Sequence, residues 1–186
     1  TIHSFFKFRP HFISDQDIKI LIGDKKEVLQ NLDTILIDEI SMVRADLFDA
    51  INLSLKKNRK NNKPFGGVQI ILIGDLFQLP PVVSSDSKDI MEQLYPDGPY
   101  FFNSKTFKEG NIKIYELSKI FRQKEENFIN LLNKIRISKI SQKDLDLINK
   151  RVIDFDSNVT EGVIILSPKN NKVDQINTDN LNKIKS

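Results

Sequence analysis

VQIILIGDLFQLPP, residues 68–81, decides how this chain reads. Its first half, VQIILIG (68–74), is a short apolar run rich in branched side chains that stops at Asp75. That is the pattern of a strand buried in a parallel sheet. Upstream, TILI (34–37) is a second such run, and it stops abruptly at Asp38 and Glu39. Between the two, Val43, Leu47, Ile51 and Leu55 recur every four residues, the stripe of an amphipathic helix. Strand, helix and strand in that order predict an α/β unit built on a parallel sheet.

Outward from this unit the signals are weaker. Ser14 and Asp17 have the spacing of a capping box, and Val28, Leu29 and Leu32 suit a short helix before Asp33. KKNRKNNKPFGG (56–67) breaks the helical pattern with charge, Pro64, Gly66 and Gly67, and reads as a loop. Its Lys56, Lys57, Arg59, Lys60 and Lys63 read as a solvated face in preference to a DNA site. Pro80, Pro81 and residues 84–87 belong to a surface loop. Residues 112–117 and 163–166 are a third and a fourth strand candidate. Phe128, Leu131, Leu132 and Ile135 suit one helix, Ser141 with Asp144 caps another, and a last helix carries Val173, Ile176, Leu181 and Ile184. The stretch PDGP (96–99) is the expected boundary between two domains, 1–99 and 100–186.

Composition bounds the function classes. A hydrophobic fraction of 39% and a charged fraction of 28% are those of a globular protein with a buried core. No apolar run is long enough to span a bilayer, so no membrane partner is expected. Without cysteine there are no disulfides and no thiolate metal sites, and an intracellular location is expected. The net charge of +3, from 28 Lys and Arg against 25 Asp and Glu, is compatible with nucleic acid without arguing for it. The chain has no initial Met, and a fragment is expected.

In open parallel sheets, ligands bind beyond the carboxyl ends of the strands. Asp38, Glu39 and Asp75 all fall at that edge. An apolar strand followed by Asp-Glu suits nucleotide hydrolysis: one carboxylate anchors a magnesium ion on the phosphates, and the next polarises the attacking water. Alternatively, the two carboxylates simply open the next helix, where negative charge is favourable. Gln78, four residues past Gly74, carries a neutral amide able to bond a γ-phosphate and to lose it after hydrolysis. A plain turn explains Gly74, Asp75, Pro80 and Pro81, but not the Phe77-Gln78-Leu79 between them.

LIDEISMV (36–43), GGVQIILIGDLFQLPPV (66–82) and LSKIFRQ (117–123), in that order, resemble the Walker B, third and fourth motifs of the PIF/RecD-like helicases of superfamily one. TIHSFF (1–6) resembles that family's motif Ia, and residues 101–123, FINLLNKIR (128–136) and VIILSPKNNKVDQIN (163–177) agree with it. The resemblance covers nearly the whole chain. It implies a RecA-like fold of the P-loop NTPase type, with residues 1–99 in a first motor domain and 100–186 opening a second. It implies an ATP-dependent DNA motor that moves 5′ to 3′, with roles in repair, recombination and telomere maintenance. Carried over by position, Asp38 would hold Mg2+, Glu39 would be the catalytic base, and Gln78 would sense the γ-phosphate. Arg122 would be the arginine finger, and Thr1, His3, Ser4 and Pro80 would face single-stranded DNA. Phe8 and Phe12 fall where the family has a strand-separating wedge, although core packing explains both as well.

The implied partners are ATP and single-stranded and forked DNA, and a monomer is expected. The compartment depends on the source: cytoplasm for a bacterium, nucleus or mitochondrion for a eukaryote. The family's phosphate loop, G-x-x-x-x-G-K-[ST], has no match in these residues, and its expected place is upstream of Thr1. A piece without it is expected to bind nucleotide weakly. Two other readings stay open: a DNA-binding fragment or degenerate paralogue without turnover, and a clamp-loader-like ATPase. The 74–81 block followed by Phe121-Arg122-Gln123 argues against the second.

Overall fold

The computed structural model describes residues 1–153 and 164–184. Its centre is the predicted unit. Strand β1 (Thr34–Ile37) pairs in parallel with β2 (Gln69–Leu72), in a register that sets Thr34 beside Gln69 and Ile37 beside Leu72. Pairing continues past the carboxyl end: the Ile73 N–H donates to the Ile37 carbonyl at 2.9 Å, and the Ile40 N–H to that of Ile73 at 3.0 Å. Helix α3 (Ala45–Arg59) makes the crossover between the strands. Side chains alternate across a strand, so Ile35, Ile37, Ile70 and Leu72 turn to the core while Leu36 and Ile71 lie on the other, open face.

The expected stripe on α3 is buried, and Phe48 joins it with no exposed surface. Its ring meets those of Phe65 at 5.5 Å, Phe101 at 5.9 Å and Phe107 at 6.5 Å. Burying each such side chain stabilises by about 1.5–3 kcal/mol, so this helix face anchors the fold. The polar side chains of α3 pin the flanking segments. Asn58 accepts from the Leu21 N–H at 2.7 Å, and Asp49 accepts from the Thr106 N–H at 2.8 Å.

The remaining elements surround this centre. They are α1 (Ile2–Phe6), α2 (Asp24–Asn31), α4 (Lys88–Leu94), α5 (Lys105–Glu109) and α6 (Glu126–Arg136). The Ser14 capping box closes a 3-10 turn, Asp15–Asp17. Further on come α7 (Gln142–Asn149), opened by the expected Ser141–Asp144 box, and α8 (Asn170–Lys183).

Residues 56–67 depart from the expected loop. Helix α3 runs on through Arg59 and stops where Lys60 turns left-handed at φ 50°, the usual way a helix ends. The turn Pro64–Gly67 then folds back onto it. Residues 112–117 are not a strand: Ile114, Tyr115 and Leu117 are exposed, and no described strand lies beside them to complete a ladder. Residues 164–166 are likewise unpaired, and Val163 lies outside the described residues. An extended apolar stretch is a strand only with a partner.

The packing forms two compact units, Thr1–Ser138 and Lys139–Ser186. Phe101, Phe102, Phe107 and Ile112, which follow the PDGP stretch, pack on the α3 core.

Candidate functional site

Asp38 and Glu39 leave the carboxyl end of β1, and Asp75 to Gln78 come directly after the carboxyl end of β2. Because the strands run parallel, both segments leave the same edge of the sheet. Asp38, Glu39 and Gln78 are all exposed there. One Asp38 oxygen, Oδ1, accepts the Glu39 N–H at 2.9 Å. The Glu39 carboxylate makes no hydrogen bond or ion pair to a described residue. Glu39 itself is left-handed, at φ 53° and ψ 43°. For a residue other than Gly, Asn or Asp this costs on the order of 1–2 kcal/mol. Lys7 and Lys60 take this conformation to end helices, but Glu39 ends none. Its turn brings the Ile40 N–H back onto Ile73. Gly74 leaves room for that turn: a Cβ there would lie 2.9 Å from Ile40 Cγ2 and 3.0 Å from the Ile40 nitrogen.

Across the edge, Asp75 organises its own loop. Its Oδ1 accepts the Phe77 N–H at 3.0 Å, and the Gln78 amide reaches Oδ2 at 3.5 Å, the limit of a hydrogen bond. The other partner of Asp75, which no sequence signal announces, is Arg136 from α6, 3.1 Å away. Burial pushes the Asp75 carboxyl up, but the Phe77 N–H, Arg136 and the Gln78 amide outweigh it and hold the carboxyl below its usual range.

A single exposed carboxylate fits a magnesium ion, which keeps much of its water and takes only one or two protein oxygens. Asp38 fits that role with Oδ2 uncommitted. Among the described residues, no group of three or more His, Asp or Glu could form a dedicated metal cage.

The other expected site residues are placed differently. Arg122 lies exposed in a bend before α6 and makes no ion pair with a described residue. The Thr1 hydroxyl caps α1, accepting from the Ser4 N–H at 3.2 Å, and Ser4 and Pro80 are exposed. His3 is half-buried; burial and the nearby Arg44 lower its pKa, and Asp46 opposes them. Phe8 is a core residue, stacked on Phe6 at 5.4 Å, which disposes of its role as a wedge; Phe12 is half-buried. Two of the cations assigned to a solvated face are structural instead. Lys57 donates to the Asp15 and Ile18 carbonyls, and Arg59 to those of Leu29, Gln30 and Gly66. Arg59 thus satisfies the last carbonyls of α2, which a helix leaves unpaired.

No helix among the described residues is long and apolar enough to cross a membrane.

Known proteins resemble the chain in both sequence and fold. It is 32% identical to the ATP-dependent DNA helicase Pif1 of Campylobacter jejuni, an alignment covering the whole chain and 42% of that protein. It is 40% identical to human PIF1 over 61% of the chain and 16% of that protein. Among solved structures, Pif1 helicase from Bacteroides in complex with ADP-AlF3 and single-stranded DNA superposes with a TM-score of 0.87 at 38% identity. A structure described as two coordinating Pif1 helicases at forked double-stranded DNA gives 0.88. Both alignments cover all of this chain and 44% of the other, so the chain spans less than half the length of these relatives. The family model described as PIF1-like helicase matches residues 1–146, and with the fold and the Asp38–Glu39 and 74–81 segments in place, the chain belongs to the PIF1-like helicase family.

Proposed function

We propose that this chain is part of the motor of an ATP-dependent DNA helicase, and that its intact parent hydrolyses ATP to move 5′ to 3′ along single-stranded DNA and to open duplexes. The observation that carries this reading is the shared sheet edge. Asp38–Glu39 and the Gln78 loop leave it together, in a chain whose family relatives are named as ATP-dependent DNA helicases. Asp38 would hold a magnesium ion, which would supply charge neutralisation on the phosphates. Glu39, left-handed and without a partner among the described residues, takes the proton of the attacking water. Gln78 bonds the γ-phosphate and is released when that group departs, while Arg122 offsets the charge that develops in transfer.

Residues 1–99 are assigned to the first motor domain. We place the passage to the second beyond Ile112 instead of at Pro99, because Phe101, Phe107 and Ile112 pack on the first domain's core. Thr1, His3, Ser4 and Pro80 are assigned to the DNA path; the Thr1 hydroxyl accepts from the Ser4 N–H and keeps its own O–H to donate to a phosphate. The parent is a monomer in this reading. Sedimentation with a forked substrate tests that, since one solved relative is described as two coordinating helicases at a fork. An intracellular location is part of the same proposal.

The decisive experiment is ATP turnover of the intact parent at saturating ATP and single-stranded DNA. Glu39→Gln keeps shape and hydrogen bonding but removes the base. It should lose about 10²- to 10⁴-fold in rate while binding magnesium–ATP and DNA nearly as before. Asp38→Asn should instead weaken magnesium-dependent nucleotide binding. If the two carboxylates only favoured a helix start, each change would cost about 0.3–1 kcal/mol of stability and leave turnover intact. A loss below about threefold for Glu39→Gln would end the catalytic assignment.

A further inference from the structure

Gln78 can sense a phosphate only if its loop holds it at the sheet edge, so any role for the residues that support this loop rests on the function proposed for Gln78. The loop is organised by Asp75, which accepts from the Phe77 N–H and from the Gln78 amide. Asp75 is itself held from outside the loop. Arg136, the last residue of α6, donates to Asp75 Oδ1 through Nε at 3.3 Å and Nη2 at 3.1 Å. The same guanidinium lies over the Phe77 ring, its Cζ 4.8 Å from the centroid. One planar cation therefore grips the loop at both the residue that shapes its turn and the aromatic residue beside Gln78. A guanidinium can pair and stack at once in a way an ammonium cannot.

The side chains of this contact are 44% and 26% exposed, so the ion pair contributes little to stability. It differs from an ordinary surface pair in that the same guanidinium also covers the Phe77 ring. Its place in the chain also matters, because α6 begins shortly after Arg122. Arg136 thereby joins the segment that carries Arg122 to the loop that carries Gln78.

We infer that Arg136 is a positioning residue for ATP turnover: through Asp75 and Phe77 it clamps the loop that presents Gln78 and ties that loop to the Arg122 segment. Arg136→Gln removes the charge and the stacking plane, and Arg136→Lys keeps the charge alone.

The test is DNA-stimulated ATP hydrolysis by the intact parent and by the variants Arg136→Gln, Arg136→Lys, Gln78→Ala and the double variant Gln78→Ala/Arg136→Gln. Arg136→Gln should lower kcat roughly tenfold, within the ~10²-fold that a misplacement of about 1 Å can cost. KM for ATP should stay within about twofold, because the contact serves the transition state more than ground-state binding. The melting temperature should move by less than about 2 °C. Arg136→Lys should recover part of the loss. The double variant should be no slower than Gln78→Ala within about twofold, since Arg136 acts through Gln78.

The failures are distinct. If Gln78→Ala is impaired while Arg136→Gln turns over within about twofold of the parent, the clamp is overturned and the role of Gln78 stands. If Gln78→Ala is itself unimpaired, the phosphate-sensing reading fails and takes the clamp with it. Losses that add in the double variant, with melting lowered by more than about 5 °C in Arg136→Gln, assign Arg136 to structure alone and overturn the clamp.

Discussion

At the scale of single residues, the least exposed charge among the described residues lies away from the sheet edge. The Asp46 side chain has 0% exposed surface and accepts from Arg44 Nε and Nη2, both at 2.8 Å, and from the Ile13 N–H at 3.0 Å. Arg44 also donates to the His11 carbonyl, so the pair fastens residues 11–13 to the start of α3. The cost of taking both charges out of water is roughly offset while they stay paired, but removing one leaves the other stranded. Arg44→Met should therefore destabilise the protein by about 3 kcal/mol, the lower end of the usual range because the Ile13 N–H remains. Changing Asp46 to Leu as well should restore part of that loss, and urea unfolding midpoints of the single and double variants decide it. None of this was legible in the sequence, where Arg44 and Asp46 are two charges near a helix start. That Asp38, Glu39 and Gln78 share a sheet edge could be read in advance, because each comes soon after an apolar run. Arg44, Arg59 and Arg136 could not, because their partners are backbone carbonyls or carboxylates whose positions only the fold supplies.

Elements reveal what a sequence pattern can and cannot specify. β1 and β2 were readable because each is short, apolar and bounded by turn formers, and the helix between them has the matching stripe. Residues 112–117 carry a similar composition and form no strand, since pairing is a property of two segments and only one is written there. The turns that close the unit depend on contacts of the same non-local kind, and two glycines test them separately. Gly66 sits at φ +63°, and a Cβ there would lie 2.7 Å from the Leu55 carbonyl oxygen. Gly66→Ala should loosen the packing of 64–67 on α3 and cost about 1–3 kcal/mol of stability, as overpacking does. At Gly74 the collision is with Ile40, immediately after Glu39. Gly74→Ala should therefore act first on turnover, by pushing Glu39 away from the Gln78 loop, with a loss approaching 10²-fold for a shift of about 1 Å. Melting temperature and ATPase rate measured on both variants of the parent check this. Equal losses of turnover at the two glycines would contradict the division.

At the scale of the whole molecule, the proposed function gives the chain one side of a nucleotide site. It supplies a carboxylate suited to a magnesium ion, a candidate base and a candidate sensor, all at one sheet edge, within a sequence that has no G-x-x-x-x-G-K-[ST] string. These pieces contribute unequally to affinity. Most of the attraction for a triphosphate comes from a cradle of backbone N–H groups and a lysine, which together neutralise charge at close range. Asp38 and Glu39 are anionic and repel a free triphosphate, and Asp38 attracts it only through a shared cation. Gln78 is neutral and is held by Asp75. The 186-residue chain on its own should then bind magnesium–ATP no tighter than about 1 mM, or about −4 kcal/mol. If the parent binds at about 1 μM, some 4 kcal/mol comes from residues outside this chain. Isothermal titration of magnesium–ATP into the chain and into the parent, in one buffer, measures the difference directly. Micromolar affinity for the chain alone would mean that the sheet edge itself is the phosphate site, and cradle and carboxylates would not divide the labour in this way. Glu39→Gln separates the two outcomes further. Where the edge only positions a cation and a water, removing this negative charge should leave the weak affinity of the chain within about threefold, because Glu39 is solvated and its repulsion is screened.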